Sequence, residues 1–229
     1  MSGWYYTFFF GIYPYIALTV CAVGTLIRYD REPYTWRASS SQLLADNGIK
    51  IGNILFHIGV LFIFFGHFEG LLTPHSVYSH FTTAEDKKML AVTAGGVAGV
   101  NCLIGLTLLI IRRLSVPRIR KTSSFWDMTI LFMLLAQLGL GLSSIVFSLA
   151  EKDADTMLHL PEWAQRLLTF RSGGVELIKD VAWPFQMHLI LGMTLFLVFP
   201  FTRLVHMLSV PVKYIGRPYQ VVRSRMAIR

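Results

Sequence analysis

The amino-acid sequence predicts an all-α membrane protein, a bundle of five transmembrane helices with the N-terminus outside and the C-terminus cytoplasmic. Three observations carry that expectation. Of 229 residues, 54% are hydrophobic and only 15% charged, whereas a soluble domain carries about a quarter charged residues. Five runs are each long and apolar enough to cross roughly 30 Å of hydrocarbon as a helix. Lys and Arg gather in alternate connections between those runs, as they do in multi-pass helical chains.

The first run covers about 4–27. It opens MSGWYYTFFF, without the basic head or the small-residue cleavage site of a secretory signal, so it is expected to be a retained helix. The second, third and fourth runs cover about 51–72, 89–111 and 126–150, and the fifth about 184–208. The connection from Leu149 to Trp183 is the longest excursion. Within it WAQRLLTF alternates apolar and polar residues as a short interfacial helix does, and RSGG breaks it. Aromatic residues at the run ends, among them Trp4, Tyr29, Tyr78, Trp126 and Trp183, suit the two interfacial belts. With no internal repeat and no low-complexity tract, 1–229 is expected to be one integral-membrane domain ending in a basic cytoplasmic tail, 210–229.

Orientation follows from the cations. Segments 28–50, 112–125 and 210–229 hold four, five and five Lys or Arg, against two in 73–88 and four in 150–183, where six acids outnumber them. The richer side is expected to be cytoplasmic. The net charge of +8 is therefore a topology signal. Nucleic acid is not an expected partner; anionic lipid headgroups or an acidic cytoplasmic protein are. The only cysteines, Cys21 and Cys102, sit in apolar runs, and no CxxCH occurs, which excludes a disulfide framework and covalently attached haem.

Four of seven histidines fall inside the runs: His57 and His67 in the second, His188 and His206 in the fifth. Ionisable groups within a bilayer are costly and are functional candidates by default. A single one reads as a histidine bonded to a neighbouring helix; two on each of two helices is a pattern. The two helices are antiparallel under the topology above, so His57 and His206 share the cytoplasmic side, and His67 and His188 the outer side. At about 1.5 Å per residue the separations along the axes are roughly 15 Å and 27 Å, a mismatch to be absorbed by tilt and by an extended ligand within each pair. At 100° per residue, His206 returns to the face of His188, and His57 and His67 lie about 80° apart.

Haem b is the ligand that takes two imidazoles from opposite sides in an apolar slot, and a filled axial pair suits electron transfer. Zinc gathers its ligands at one point, and two pairs at separate depths argue against it. Gly59, Gly66, Gly70 and Gly192 lie near the histidines, where small residues let a porphyrin approach. Arg203, one turn before His206, together with Arg112, Arg113 and Arg37, are candidates for the propionates of the inner haem, although snorkelling explains each singly. On the outer side Lys87, near the end of the second helix, is a candidate to hydrogen-bond a quinone carbonyl or quinol hydroxyl. Glu69 is a candidate proton acceptor, and Gly66 a candidate neighbour in the same pocket. His75, His80 and His159 read as solvated loop residues, with His75 placed to line a pocket.

The stretches FFFGIYPYIA, RYDREPYTWRASSSQLL, NILFHIGVLFIFFGHFEGLLTPH, AGGVAGVNCLIG, RRLSVPRIR and HLILGMTLFLVFPFTRLVHMLSVPVKY carry a resemblance over nearly the whole chain. It resembles the gamma-subunit family of the membrane-bound respiratory nitrate reductases, di-haem cytochromes b of the bacterial cytoplasmic membrane. The resemblance implies two haem b groups, the inner one on His57 and His206 and the outer one on His67 and His188. It also implies quinol oxidation near the outer haem with Lys87 in the pocket. The implied partners are an iron–sulfur subunit and a molybdenum-containing catalytic subunit that reduces nitrate. Electrons moving inward while protons leave outside would store about 2.3 kcal/mol per charge per 100 mV.

Two other readings stay open from sequence. One is a related haem b subunit serving a sulfite-reductase-type or heterodisulfide-reductase-type complex, separable by its genomic neighbours. The other is a haem-free transporter using its histidines as a proton relay, separable by the colour of the purified protein.

Overall fold

The structure is a computed structural model, and it describes residues 3–36, 49–151 and 154–209. Arg37 and the tail 210–229 lie outside the described residues. The chain is helical throughout this region, with five helices long and apolar enough to cross a membrane: Gly3–Arg31, Lys50–Leu72, Ala84–Ser115, Phe125–Ala150 and Trp183–Phe201. The second span is apolar on every face and leaves Phe62, Phe64, Phe65 and Phe68 exposed, the pattern of a helix that meets lipid rather than water.

The third span begins at Ala84 and ends at Ser115, longer than the 89–111 read from apolarity. Its ends are polar yet well suited to a helix. Thr83 accepts from the Asp86 N–H, Glu85 and Asp86 sit in the first turn, and Arg112 and Arg113 in the last. Acids at the N-terminus and cations at the C-terminus oppose the helix dipole favourably. The fourth span starts on a capping box in which the Ser124 hydroxyl accepts from Asp127 N–H and the Asp127 carboxylate accepts from Ser124 N–H.

The first span contains a π-helical turn, Phe8–Ile12. Pro14 lies just beyond it and has no N–H, so the Phe10 carbonyl loses its helical donor. The Trp163 indole N–H supplies a replacement at 3.0 Å. That indole belongs to the helix Asp155–Leu168, which replaces the short interfacial helix expected from WAQRLLTF and starts eight residues before it. Its Gln165 side chain donates to the carbonyls of Leu71 (3.1 Å) and Thr73 (3.3 Å) at the end of the second span. Phe10, Trp163, Ala164, Leu167 and Ile178 form a buried cluster here, at what we term the capped end. The chain leaves the helix through Phe170 (φ 56°) and Gly173 (φ 83°), in the left-handed region.

The fifth span is not the continuous helix expected from its apolarity. Its α-helix ends at Val198, followed by a 3₁₀ turn Phe199–Phe201, an extended Thr202 (φ −113°, ψ 177°) and a second 3₁₀ segment Arg203–Leu208. The expected helix over 184–208 is therefore broken. Pro200 has no N–H to continue the ladder and its ring clashes with the preceding turn. Gly24 of the first span faces it: a Cβ there would stand 2.9 Å from the Pro200 ring. Because the helix is not continuous from His188 to His206, neither the 27 Å axial separation nor the shared helical face applies to that pair.

The second span packs along its length on the third, the third on the fourth, the fourth on the fifth, and the fifth on the first. The second and fifth spans make little backbone contact with one another. Gly105 lets the second and third spans close, since a Cβ there would lie 2.3 Å from the Phe56 nitrogen. Gly59 does the same against Cys102 (2.7 Å), so it serves helix packing rather than the approach of a porphyrin.

Candidate functional site

His57, His67 and His188 lie within the spans and His206 just past Phe201, where the fifth ends, and all four imidazoles are held through Nδ1. His57 Nδ1 lies 2.8 Å from the Asn53 carbonyl, His67 Nδ1 2.7 Å from Ile63, and His206 Nδ1 2.5 Å from Arg203. His188 Nδ1 reaches across to the Gln137 carbonyl of the fourth span at 3.1 Å. A carbonyl oxygen only accepts, so each ring donates from Nδ1, which leaves Nε2 as the atom that a metal would take. This is the arrangement that orients metal-binding histidines.

The cradle of His188 uses a glycine and an amide. The Gln137 carbonyl already belongs to the fourth span's helix, and the imidazole reaches it because Gly141 has no side chain; a Cβ there would stand 3.0 Å from His188 Cε1. The Gln137 side-chain amide donates to the His188 carbonyl at 3.1 Å and lies 3.3 Å from His188 Nε2. Gly192 leaves room for that amide, which would be 3.2 Å from a Cβ at its position.

His67 and His188 come together, with ring centroids 5.9 Å apart and planes inclined at 36°. Two imidazoles bound to one metal from opposite sides, each at about 2 Å, have centroids on the order of 6 Å apart. Gly66 has nothing within 4 Å of where a Cβ would stand, and Gly70 likewise, so this flank of the second span is open. No ring contact joins His57 to His206; His57 packs edge-on to Phe56. Among the described residues no three His, Cys, Asp or Glu side chains converge as a metal site. A porphyrin supplies four of its iron's ligands and asks the protein only for axial ones.

The structure separates the two lysines at the capped end. Lys87 is buried, its Nζ 3.8 Å above the Tyr78 ring and 3.3 Å from the Gly70 carbonyl on the second span. Lys88 turns the other way and donates to the Glu151 carbonyl at 2.7 Å, where the fourth span ends. Tyr78 thus packs beneath an ammonium, and burial raises its phenol above the ordinary value. Glu69 is exposed within Coulombic reach of Lys87, and its carboxylate accepts from the Thr73 hydroxyl at 3.4 Å. His75 and His80 are exposed, His75 lying edge-on to Tyr78. A cleft of about 300 Å³ between the first span and the Asp155–Leu168 helix is lined by none of His57, His67, His188 and His206.

At the opposite end, which we term the basic end, one carboxylate ties three elements. Asp127 pairs with Arg203 at 3.2 Å and with Arg113 at 3.8 Å, and Arg112 lies within Coulombic reach of Arg113. The sequence reading missed Asp127, although Ser-x-x-Asp before an apolar run marks a helix start. It also missed Gln137, a polar residue mid-span and one turn before a glycine. Arg28 was read only as a topology cation, yet it holds the break in the fifth span.

These features define a class: an all-helical multi-pass membrane protein whose two non-adjoining spans face each other through imidazoles. Comparison with known proteins gives the family. The family profile described as nitrate reductase gamma subunit matches residues 6–225. Two relatives from Escherichia coli (strain K12), the respiratory nitrate reductase 1 and 2 gamma chains, are each 51% identical over 95% of this chain, covering 97% and 96% of their own lengths. The nitrate reductase gamma chain of Bacillus subtilis (strain 168) is 37% identical over 94% of this chain and 96% of its own. The chain belongs to the nitrate reductase gamma subunit family, and is a membrane subunit of a nitrate reductase rather than the whole enzyme.

Proposed function

We propose that the protein is the quinol-oxidising, di-haem cytochrome b subunit of a respiratory nitrate reductase in a bacterial cytoplasmic membrane. Its N-terminus faces outward and its partners dock at the basic, cytoplasmic end. The single observation that carries this reading is the set of four imidazoles with Nδ1 bound to a carbonyl and Nε2 presented. One pair is already spaced for a shared metal.

The spacing of the outer pair fits haem b, which His67 and His188 would hold. His57 and His206, which make no ring contact with each other, would hold the inner group through the Nε2 atoms that their Nδ1 bonds leave exposed. The helices carrying the outer pair are not packed together, and the weak 3.3 Å contact between the Gln137 amide and His188 Nε2 is one that a metal bond displaces. Arg203, Arg112 and Arg37 are the cations assigned to the inner propionates; Arg203 keeps Asp127 as a partner, which fixes its direction. When bound, the two groups would supply one-electron redox chemistry at two depths of the bilayer.

On the outer side, quinol binds between His67, Gly66 and Lys87. The buried ammonium donates to a quinol oxygen and stabilises the negative charge that develops as its proton departs. Quinol gives up two protons and two electrons in becoming quinone, and Glu69, exposed beside it, accepts the protons in turn and passes each to water on the outer side. Electrons leave at the basic end to an iron–sulfur subunit, and a molybdenum-containing subunit reduces nitrate to nitrite. The basic rim also suits anionic lipid headgroups.

The test is the spectrum and haem content of His67→Ala and His188→Ala complexes. Each is expected to lose one haem b of two and to stop oxidising quinol. A full haem complement in either variant refutes the ligand assignment, and a colourless native protein refutes the whole reading in favour of a proton relay.

A further inference from the structure

The Arg28 guanidinium sits in the last turn of the first span and spends four of its bonds on two other segments. Nη1 donates to the Pro200 carbonyl at 2.6 Å and the Thr202 carbonyl at 2.8 Å. Nε and Nη2 donate to the hydroxyl and carbonyl of Thr35 at 3.2 and 2.9 Å. The need for a donor there follows from the break. In an unbroken helix the Pro200 carbonyl would accept from the Leu204 N–H, but that N–H is turned to the Thr202 hydroxyl at 3.3 Å. Pro200 is buried, and a buried carbonyl left without a donor is costly. Arginine's planar fork meets two carbonyls on one side while its other edge is anchored to Thr35, a geometry no other side chain supplies.

Downstream of that clasp the backbone has little freedom before His206. Thr202 is buried and caps the Arg203–Leu208 turn, Val205 is fully buried, and Arg203 is tied to Asp127. His206 then donates from Nδ1 to the Arg203 carbonyl, so the direction of its Nε2 is set by a turn whose first residues are held by Arg28.

We propose that Arg28 is a positioning residue for the inner axial imidazole: by holding the Pro200 and Thr202 carbonyls it fixes the turn that aims His206 at the iron. The proposal rests on His206 being an axial ligand. Arg28 touches no ligand itself; it acts through the break. Lysine offers the same charge to the two carbonyls but lacks the second edge for Thr35, so it restores the function in part.

The experiment compares Arg28→Gln, Arg28→Lys and His206→Ala in the assembled, membrane-bound complex. It reads the midpoint potential and low-spin signal of each haem separately, together with amide hydrogen exchange over 202–206. Arg28→Gln is expected to shift or abolish the inner-haem signal, leave the outer one unchanged, and speed exchange at these amides by about tenfold or more. Arg28→Lys is expected to recover most of the inner signal. An unchanged inner potential and unchanged exchange in Arg28→Gln overturn the proposal, as does loss of both haems together, which assigns Arg28 to the bundle at large. If His206→Ala retains both haems, the ligand reading itself fails, whatever Arg28 does.

Discussion

Gly105→Ala isolates the packing that sets the position of the second span, and with it of His57. The added Cβ would stand 2.3 Å from the Phe56 nitrogen and 2.8 Å from both the Phe56 Cα and the Gly52 carbonyl. All three are backbone atoms, so no side chain can rotate away. Ordinary contact begins at 3.4 Å, so the second and third spans must part by about 1 Å, and overpacking of this kind costs about 1–3 kcal/mol. Alanine's better helix propensity returns about 0.5–1 kcal/mol. Gly95→Ala, where nothing lies within 4 Å of the new Cβ, provides that propensity gain without the clash. Thermal unfolding of the two variants in the same detergent is therefore expected to place Gly105→Ala below native and Gly95→Ala at or above it. The inner-haem signal should be altered only in the former, because Phe56 carries His57 with it. Equal stability of the two variants would refute the close approach of these helices.

Gly141→Ala should press on His188 Cε1, 3.0 Å from the new methyl, weaken the Nδ1 bond to the Gln137 carbonyl, and shift the potential of the outer haem but not the inner, read by redox titration. Trp163→Phe leaves the Phe10 carbonyl without a donor and is expected to cost about 1–3 kcal/mol in unfolding experiments. Adding Pro14→Ala returns a backbone N–H and should recover part of that loss, so strictly additive costs would count against the account of the π-helical turn. Asp127→Asn keeps the Ser124 cap but removes the charge facing Arg113 and Arg203. A loss of about 3 kcal/mol, the low end for removing one partner of a buried pair because these side chains keep some exposure, is expected, and a native melting curve would show the pairing to be idle. Lys87→Met should lower quinol oxidation while both haems remain, measured by steady-state kinetics with spectra as the control; Lys88→Met, which gives up the bond to the Glu151 carbonyl, should not.

The sequence by itself determined the class of the molecule, its five spans, and the imidazoles of His57, His67 and His188 within two of them, while His206 falls past Phe201, where the fifth span ends. Each of these is a local property: an apolar run about as long as hydrocarbon is thick, or a costly ionisable group inside one. Family membership was equally legible, because the stretches that carry it are contiguous. What sequence left undecided, or stated wrongly, depends on residues far apart in the chain. FPF in the fifth run contains a visible helix breaker, yet apolarity carried the expected helix through to 208. Only the packed structure shows the ladder stopping at Val198, with Gly24 making room for Pro200 and Arg28 taking up its carbonyl. Two adjacent lysines are equivalent in sequence, and helical rotation sends one to the Gly70 carbonyl and the other to Glu151. Gly59 and Gly66 are likewise equivalent until a neighbouring helix closes on one and leaves the other open. The hydrogen bond that fixes His188 joins it to Gln137 on another span. Hydrophobic periodicity says how a segment sits in the bilayer; only the tertiary fold chooses which neighbour completes its unmet donors and acceptors.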